Sequence, residues 1–171
     1  MRAEREGLTC ARAQIGNVML WDCARGELRQ SLGGQGTGHT ASVTHLAFSV
    51  SGATLYAASA DGQVTAWQVS NGAELWSLKV GKQPARRLAV HPDDDVLVSA
   101  ASGIKMWDVS TRKCARKLPG HASPVVALAF SPCGAFLASG ARPPACRAAL
   151  ARGSMRFGYG VRDAACPLST G

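Results

Sequence analysis

Residues 38–68 read GHTASVTHLAFSVSGATLYAASADGQVTAWQ, a stretch that opens with a Gly-His pair and closes on a Trp dipeptide. Both markers recur along the chain. They stand at Gly38-His39 and Gly120-His121 for the Gly-His pair, and at Trp21-Asp22, Trp67-Gln68 and Trp107-Asp108 for the Trp dipeptide. The Gly-His pairs are 82 residues apart and the Trp intervals are 46 and 40 residues. Two independent markers therefore indicate one repeat of about 41 residues.

A repeat of about 40–45 residues is the length of one β-propeller blade, which is a small antiparallel sheet of four strands. The patterned residues, 15–141, amount to about three blades, whereas a closed ring needs about 4–8. We therefore expect an all-β, partial and open propeller. It is flanked by residues 1–14, which show no repeat pattern, and by an irregular tail, 142–171, rich in Ala, Arg, Pro and Cys. The tail is expected to be disordered or non-native.

Short apolar runs separated by turn residues place the strands within each repeat. The second blade is predicted at Val43–Phe48, Leu55–Ser59, Val64–Trp67 and Glu74–Leu78, and the third at Arg86–Val90, Val96–Ala100, Ile104–Trp107 and Lys113–Leu118. Between the second and third strands of the second blade, Asp61-Gly62 predicts a type I′ hairpin turn, in which both central residues have positive φ.

The two ends of the array are irregular. Only Gly16–Trp21 and Glu27–Leu32 represent a first blade, so its two inner strands are predicted to be missing. A fourth blade begins with Val125–Phe130 and Phe136–Ser139 and then stops. The ring is therefore expected to be incomplete on this chain.

The third blade is degenerate in two places. Gly81-Lys82 stands where a Gly-His pair is due, and the turn before Trp107 reads Ala101-Ser102-Gly103, with no Asp. Both changes remove a marker that the second blade possesses.

The formal net charge of +8 is concentrated outside the repeats, because residues 142–171 alone carry five Arg and one Asp. This distribution weakens the case for a nucleic-acid-binding domain, in which clustered cations would lie on the folded surface. The N-terminal residues lack the apolar run of a secretory signal, and no apolar stretch is long enough to span a membrane. We expect a soluble intracellular protein.

The cysteines form no pair at zinc-like spacing. They are Cys10, Cys23, Cys114, Cys133, Cys146 and Cys166. We interpret them as free thiols in a reducing compartment.

Three groups of residues imitate functional sites. His39, Ser59 and Asp61 offer the side chains of a hydrolase triad, but no oxyanion site accompanies them, so a structural role is favoured. The Gly-rich stretch 33–38 lacks the Lys-Ser/Thr of a phosphate-binding loop and is predicted to be an inter-blade loop. Asp93-Asp94-Asp95 is predicted to be a solvated turn rather than a cation site.

The densest basic segment, 111–117, falls on a predicted outer strand, where charge opposes edge-to-edge pairing with other chains. Contact with RNA is the alternative reading of this segment. Trp76, on the preceding outer strand, is predicted to pack against its own blade rather than to stack on a base.

The Gly-His pairs, the Asp-Gly turn and the Trp-Asp dipeptides resemble the WD-repeat family. This resemblance implies a structural tetrad formed by His39, Ser59, Asp61 and Trp67. In that tetrad the indole donates to the hydroxyl, the hydroxyl to the imidazole, and the imidazole to the carboxylate. Further repeat markers are Trp21, Asp22, Trp107, Asp108, Gly120 and His121.

The order of irregular features from residue 38 to residue 130 is similar to one family in particular, that of WD repeat-containing protein 43, a nucleolar subunit of the small-subunit processome. The shared features are GHT-x-x-V, Leu55-Tyr56 followed by Ala60-Asp61-Gly62, a blade without its Gly-His, the short turn before Trp107, and GHASPV at 120–125. The resemblance implies a scaffold in early ribosome assembly.

The sequence therefore predicts a non-catalytic protein-interaction scaffold, without cofactor or metal, in the nucleolus or alternatively the cytoplasm. Its expected partners are other proteins, with pre-rRNA as an indirect or weak second partner and with neither membrane nor small-molecule substrate. Two alternatives stay open. One is a generic WD-repeat adaptor or substrate receptor, and the other is a truncated or mis-spliced gene product whose residues 142–171 derive from intron or shifted-frame sequence.

Overall fold

The computed structural model describes the backbone of residues 8–12 and, with side chains, residues 17–33, 39–101 and 103–142. These residues form thirteen strands in four antiparallel sheets, which we call blades 1 to 4. Blade 1 contains β1 (Leu8–Arg12), β2 (Val18–Asp22) and β3 (Glu27–Leu32). Blade 2 contains β4 (Val43–Phe48), β5 (Thr54–Ser59), β6 (Gln63–Gln68) and β7 (Glu74–Lys79). Blade 3 contains β8 (Arg87–Val90), β9 (Val96–Ala100), β10 (Ile104–Asp108) and β11 (Cys114–Leu118). Blade 4 contains β12 (Val125–Phe130) and β13 (Leu137–Ala141).

Within each blade the strands pair in sequence order, so every connection is a local hairpin. The first strands of blades 2, 3 and 4 lie side by side, with β8 between β4 and β12. The blades are therefore arranged radially around these inner strands. The predicted all-β, open and partial propeller is confirmed.

Blade 1 differs from the prediction that both of its inner strands are missing. Strand β1 pairs along its whole length with β2, from Leu8 opposite Asp22 to Arg12 opposite Val18. It lies inside the N-terminal segment, 1–14, in which no repeat pattern was expected. Five residues are too few to display a periodicity, and pairing with β2 is what makes them a strand.

Alternate residues of each strand enter different cores, because successive side chains point to opposite faces of a sheet. In β5, Leu55 and Ala57 pack in the core between blades 1 and 2, whereas Tyr56 and Ala58 pack in the core between blades 2 and 3. A third core joins blades 3 and 4 around the buried Val125. Blades 2 and 3 are thus stabilised by neighbours on both faces, and blades 1 and 4 by one neighbour each among the described residues.

The predicted type I′ turn at Asp61-Gly62 is wrong. Gly62 has φ of +79°, but Asp61 is not among the positive-φ residues, and the Gly62 N–H donates to the Ser59 carbonyl at 3.1 Å. This is a longer loop that ends in a left-handed glycine. The Asp61 carboxylate favours it by accepting the N–H of Gln63 at 2.9 Å across the bend.

Residues 34–38 of the Gly-rich stretch and residues 143–171 of the tail lie outside the described residues, so their predictions stay untested. The described part of the chain contains no helix of the length and apolarity needed to cross a membrane.

Candidate functional site

The four tetrad residues of blade 2 come together at the end of the blade where β5 turns into β6. Ser59 ends β5, Asp61 lies in the following turn, and Trp67 is on β6. The Ser59 hydroxyl donates directly to the Asp61 carboxylate, which also accepts the Thr40 hydroxyl at 2.9 Å. The carboxylate is therefore satisfied by its own turn and by the residue that follows His39.

His39 lies beside this network rather than within it. Its ring is only 7% exposed and meets the Trp67 indole edge to face, with centroids 5.4 Å apart and an interplanar angle of 78°. Neither ring nitrogen has a hydrogen-bond partner among the described residues. The predicted order of links, from indole through hydroxyl and imidazole to carboxylate, is thus wrong in this blade. Ser59 and Asp61 are separated by one residue across a tight bend, and this proximity lets them bond without the imidazole.

The ionisation of the two groups follows from their surroundings. Burial lowers the pKa of His39, outweighing the opposite effects of the nearby Asp61 carboxylate and the Ala57 backbone carbonyl. Burial raises the pKa of Asp61, but hydrogen bonds from Ser59, Gln63 and Thr40 outweigh it and leave that pKa below its ordinary value. A neutral imidazole and an ionised carboxylate result at neutral pH.

Two links of the predicted tetrad occur in other blades. In blade 3 the Trp107 indole donates to the Ser99 hydroxyl at 2.9 Å. In blade 4 a His121 ring nitrogen lies 2.8 Å from the Ser139 hydroxyl. The buried indole nitrogen of Trp21 in blade 1 has no partner within the described residues. The indole–hydroxyl and imidazole–hydroxyl links are thus found in blades 3 and 4 rather than in blade 2.

This geometry does not suit nucleophilic catalysis. The Ser59 hydroxyl is fully buried and gives its proton to Asp61, so no imidazole is positioned to accept it. The described residues also contain no group of three or more His, Cys, Asp and Glu side chains arranged to hold a metal ion. The cluster fits a structural role.

The Asp residues of the Trp-Asp dipeptides cap the turns that follow them. Asp22 accepts the N–H groups of Ala24 and Arg25 at 2.9 and 3.1 Å, and Asp108 accepts that of Thr111 at 2.8 Å. Both turns connect the last two strands of a blade. These markers therefore stabilise hairpins.

A contact between blades that the sequence did not predict lies in the Asp93-Asp94-Asp95 turn of blade 3. The Asp94 carboxylate crosses to blade 2 and accepts the backbone N–H groups of Val50 and Ser51 at 2.6 and 2.9 Å. The prediction of a merely solvated turn is therefore wrong for Asp94. Homologous turns of neighbouring blades meet in a ring, and that long-range proximity is invisible in a local reading.

The same turn contacts blade 4 through His91. Its Nε2 lies 3.3 Å from the Gly134 carbonyl, and its ring meets Phe130 edge to face at 5.1 Å. Its Nδ1 lies 3.2 Å from a carboxylate oxygen of Asp95. One five-residue turn thus joins three blades. A sequence signal existed, because Ser49, His91 and Ser131 open the first turn of successive blades about 41 residues apart.

The outer strands present the remaining candidate surfaces. Cys114 to Lys117 of β11 are exposed, in keeping with an outer strand. Trp76 of β7 packs against Tyr56 with ring centroids 5.8 Å apart. Trp76 is therefore engaged with its own blade, as its sequence position suggested.

Comparison with known proteins agrees with this architecture. The family model described as WD domain, G-beta repeat, matches residues 28–68 and 112–142. Over those residues the chain is similar to WD repeats. The two matched ranges leave out 69–111, which contain most of the degenerate third blade.

Curated WD-repeat and RNA-processing proteins are among the relatives. WD repeat-containing protein 43 of Homo sapiens is 29% identical over 117 residues, covering 68% of this chain and 17% of that protein. The U3 small nucleolar RNA-associated protein 21 homolog of Schizosaccharomyces pombe is 36% identical over 84 residues, covering 48% of this chain and 9% of that protein. Pre-mRNA-processing factor 19 of Oryza sativa subsp. japonica is 30% identical over 107 residues, covering 60% of this chain and 20% of that protein. The chain thus spans a fifth or less of each of these relatives.

A solved structure shares the architecture. A chain in the crystal structure of the mitotic checkpoint complex superposes with a TM-score of 0.70 at 25% identity, over 79% of this chain and 40% of that chain. The blade stack therefore has the arrangement of part of a larger chain.

Proposed function

We propose that this WD-repeat chain is a non-catalytic scaffold that binds other proteins during small-subunit ribosome assembly in the nucleolus. The observation that carries the proposal is the similarity to WD repeat-containing protein 43 over about two thirds of the chain. The relative named as a U3 small nucleolar RNA-associated protein supports the same setting. Pre-rRNA is proposed as an indirect or weak second partner.

The blade geometry supports a binding role over a chemical one. The polar residues that resemble a hydrolase triad are occupied in holding blade 2 together. Outer strands and loops are left to meet partners, and β11 offers exposed Arg116 and Lys117 to an acidic surface.

A second candidate is a generic WD-repeat adaptor outside ribosome assembly. The similarity to Pre-mRNA-processing factor 19, and that to a chain of the mitotic checkpoint complex, favour it. Both candidates share the scaffold role and differ in the partners.

Affinity purification of the tagged chain from nuclear extract distinguishes them. The proposal predicts enrichment of nucleolar assembly proteins, with pre-rRNA recovered in smaller and ribonuclease-sensitive amounts. Recovery of spliceosomal or checkpoint proteins without nucleolar proteins would favour the adaptor. A tagged Asp94→Ala chain is the control, because a partner that binds the assembled blades should be lost when their contact is weakened.

A further inference from the structure

Blade 3 carries a cleft where blade 2 holds its tetrad carboxylate. The cleft measures about 200 Å³ and lies between the loop that precedes β8 and the turn between β9 and β10. Among the residues that line it are Gly81, Lys82, Gln83, Ser99, Ala101 and Lys105.

Alignment of the two blades on their Trp residues shows what the cleft has lost. Ser99 lies eight residues before Trp107, as Ser59 lies before Trp67. Two positions after that serine, blade 2 has Asp61 and blade 3 has Ala101. The carboxylate that accepts the serine proton in blade 2 is thus absent from blade 3.

Two lysines line the cleft of blade 3, in which the carboxylate of blade 2 has no counterpart. Lys105 stands in the place of Thr65, and Gly81-Lys82 stands close to where the Gly-His pair is due. Neither lysine forms an ion pair within the described residues, and no Asp or Glu is among the residues that line the cleft. Lys117 lies opposite Lys105 in the register of β10 and β11 and adds to the positive potential.

Lys105 is held in position rather than free to move into solvent. Its ammonium donates to the Val80 carbonyl at 2.6 Å and lies 5.7 Å from the centroid of the Trp107 ring. Two of its three protons remain available. Ser99 accepts the Trp107 indole N–H, and its own proton has no acceptor in the described part of the chain. Donors therefore converge on the cleft, and no carboxylate lines it.

We propose that this cleft binds the carboxylate of an Asp or Glu side chain from a partner protein, which takes the place of the missing turn carboxylate. The bound carboxylate accepts from Lys105, from Lys82 and from the Ser99 hydroxyl. Charge-assisted hydrogen bonds of this kind are about twice as strong as neutral ones. The inference rests on the proposed scaffold role and assigns it a specific acidic contact.

The test uses the full chain labelled with ¹⁵N and follows the indole N–H resonance of Trp107. The probe is a hexaglutamate peptide with blocked ends, and inorganic phosphate and a hexauridylate RNA are the comparison probes. We expect saturable movement of the Trp107 resonance with hexaglutamate only. Movement of equal size with phosphate or RNA, or no movement with hexaglutamate, would overturn the proposal.

Two variants establish the site. Ala101→Asp supplies the carboxylate from within the chain, and Lys105→Met removes the ammonium while keeping an unbranched stem over Trp107. Each should weaken hexaglutamate binding at least about tenfold, since one charge-assisted contact is worth about that factor. Lys113→Met, which removes a charge elsewhere, should bind as the unaltered chain does. An unchanged Trp67 resonance verifies folding, and undiminished binding by both variants would refute the assignment.

The outcome is separable from that of the ribosomal proposal. Hexaglutamate binding with no nucleolar proteins in the purification would retain the acidic contact and reject the cellular setting. If the Lys105→Met chain recovered nucleolar proteins as well as the unaltered chain does, and the unaltered chain bound no hexaglutamate, the cellular setting would be retained and the acidic contact rejected.

Discussion

Removal of the Asp94 carboxylate should loosen blade 3 from blade 2. Its two hydrogen bonds, to the N–H groups of Val50 and Ser51, are the carboxylate's contacts with the neighbouring blade. A hydrogen bond to a charged group contributes about 1.5–3 kcal/mol when buried. Asp94 is only partly buried, so water replaces part of each bond and we expect about 1 kcal/mol apiece.

Backbone strain adds to the effect of an alanine. Asp94 has φ of +60°, a left-handed conformation that Asp, Asn and Gly adopt more readily than Ala, by about 1 kcal/mol. Asp94→Ala should therefore lower the free energy of unfolding by about 3 kcal/mol and Asp94→Gly by about 2 kcal/mol. Asp94→Asn, which keeps an acceptor oxygen and tolerates the conformation, should lower it by about 1 kcal/mol.

Equilibrium unfolding in urea, followed by tryptophan fluorescence, measures these differences. Asp93→Ala is the matched control, because the Asp93 side chain is 79% exposed and should cost less than about 0.5 kcal/mol. If Asp94→Gly proved no more destabilising than Asp93→Ala, the Asp94 carboxylate would contribute nothing to the free energy of unfolding, and the contact would not hold the two blades together.

The pH dependence checks the same contact independently. Burial raises the pKa of Asp94, but the hydrogen bonds from Ser51 and Val50 outweigh it and lower the pKa below 3.8. The unfolded chain therefore binds the proton more readily, and the contribution is present above pH 3.8 and lost as the pH falls through the lower folded pKa. The difference in stability between Asp94→Asn and the unaltered chain should accordingly shrink in that window.

Three further predictions concern His39 of the tetrad, Ser99 of blade 3, and Gly62, which follows the tetrad carboxylate. The pKa of His39 is lowered in the folded chain, so the unfolded chain binds the proton first and the urea midpoint should drop as the pH falls below about 6.5. His39→Gln should make the urea midpoint depend less steeply on pH, and an unchanged dependence would refute this role for His39. Ser99→Ala leaves the Trp107 indole N–H without its acceptor and should lower the free energy of unfolding in urea by about 1–3 kcal/mol. In a chain that already carries Trp107→Phe, Ser99→Ala should have little further effect, because the indole N–H is gone. Gly62→Ala should lower the free energy of unfolding by more than about 2 kcal/mol, because the new Cβ would clash with the Gly81 carbonyl of the next inter-blade loop. Gly52→Ala is the control, since Gly52 has a similar φ and open space around it, and should lower the free energy of unfolding by about 1 kcal/mol. Equal losses in the two variants would show that only φ matters.

The strands of blades 2 and 3 could be predicted to within a residue or two from local pattern. Val43–Phe48 and Val96–Ala100 were predicted with the bounds that the structure gives. These strands are short, mostly apolar runs because both faces of a blade are buried, and turn residues mark their ends. Local signals suffice where local geometry decides the outcome.

The contacts between blades could not be predicted in this way. Asp94 reaches backbone groups 43 and 44 residues away, and backbone N–H groups leave no mark in the sequence. The tetrad shows a second limit, since the resemblance implied a set of residues and an order of bonds, and the bonds in blade 2 differ from that order. The bend between Ser59 and Asp61 brings the hydroxyl and the carboxylate together without the imidazole.

Blade 3 tolerates the loss of two tetrad residues because other contacts fix it at both ends. At one end the turn from His91 to Asp95 bonds to blades 2 and 4. At the opposite end the loop before β8 is fixed by Val80, whose N–H donates to the Gly62 carbonyl at 2.9 Å and whose carbonyl accepts Lys105. With position secured in this way, the serine and tryptophan of the old tetrad are no longer needed to orient the turn. The lysines at the cleft are consequently available to a ligand, which is the physical reason for locating the partner contact in the most degenerate blade.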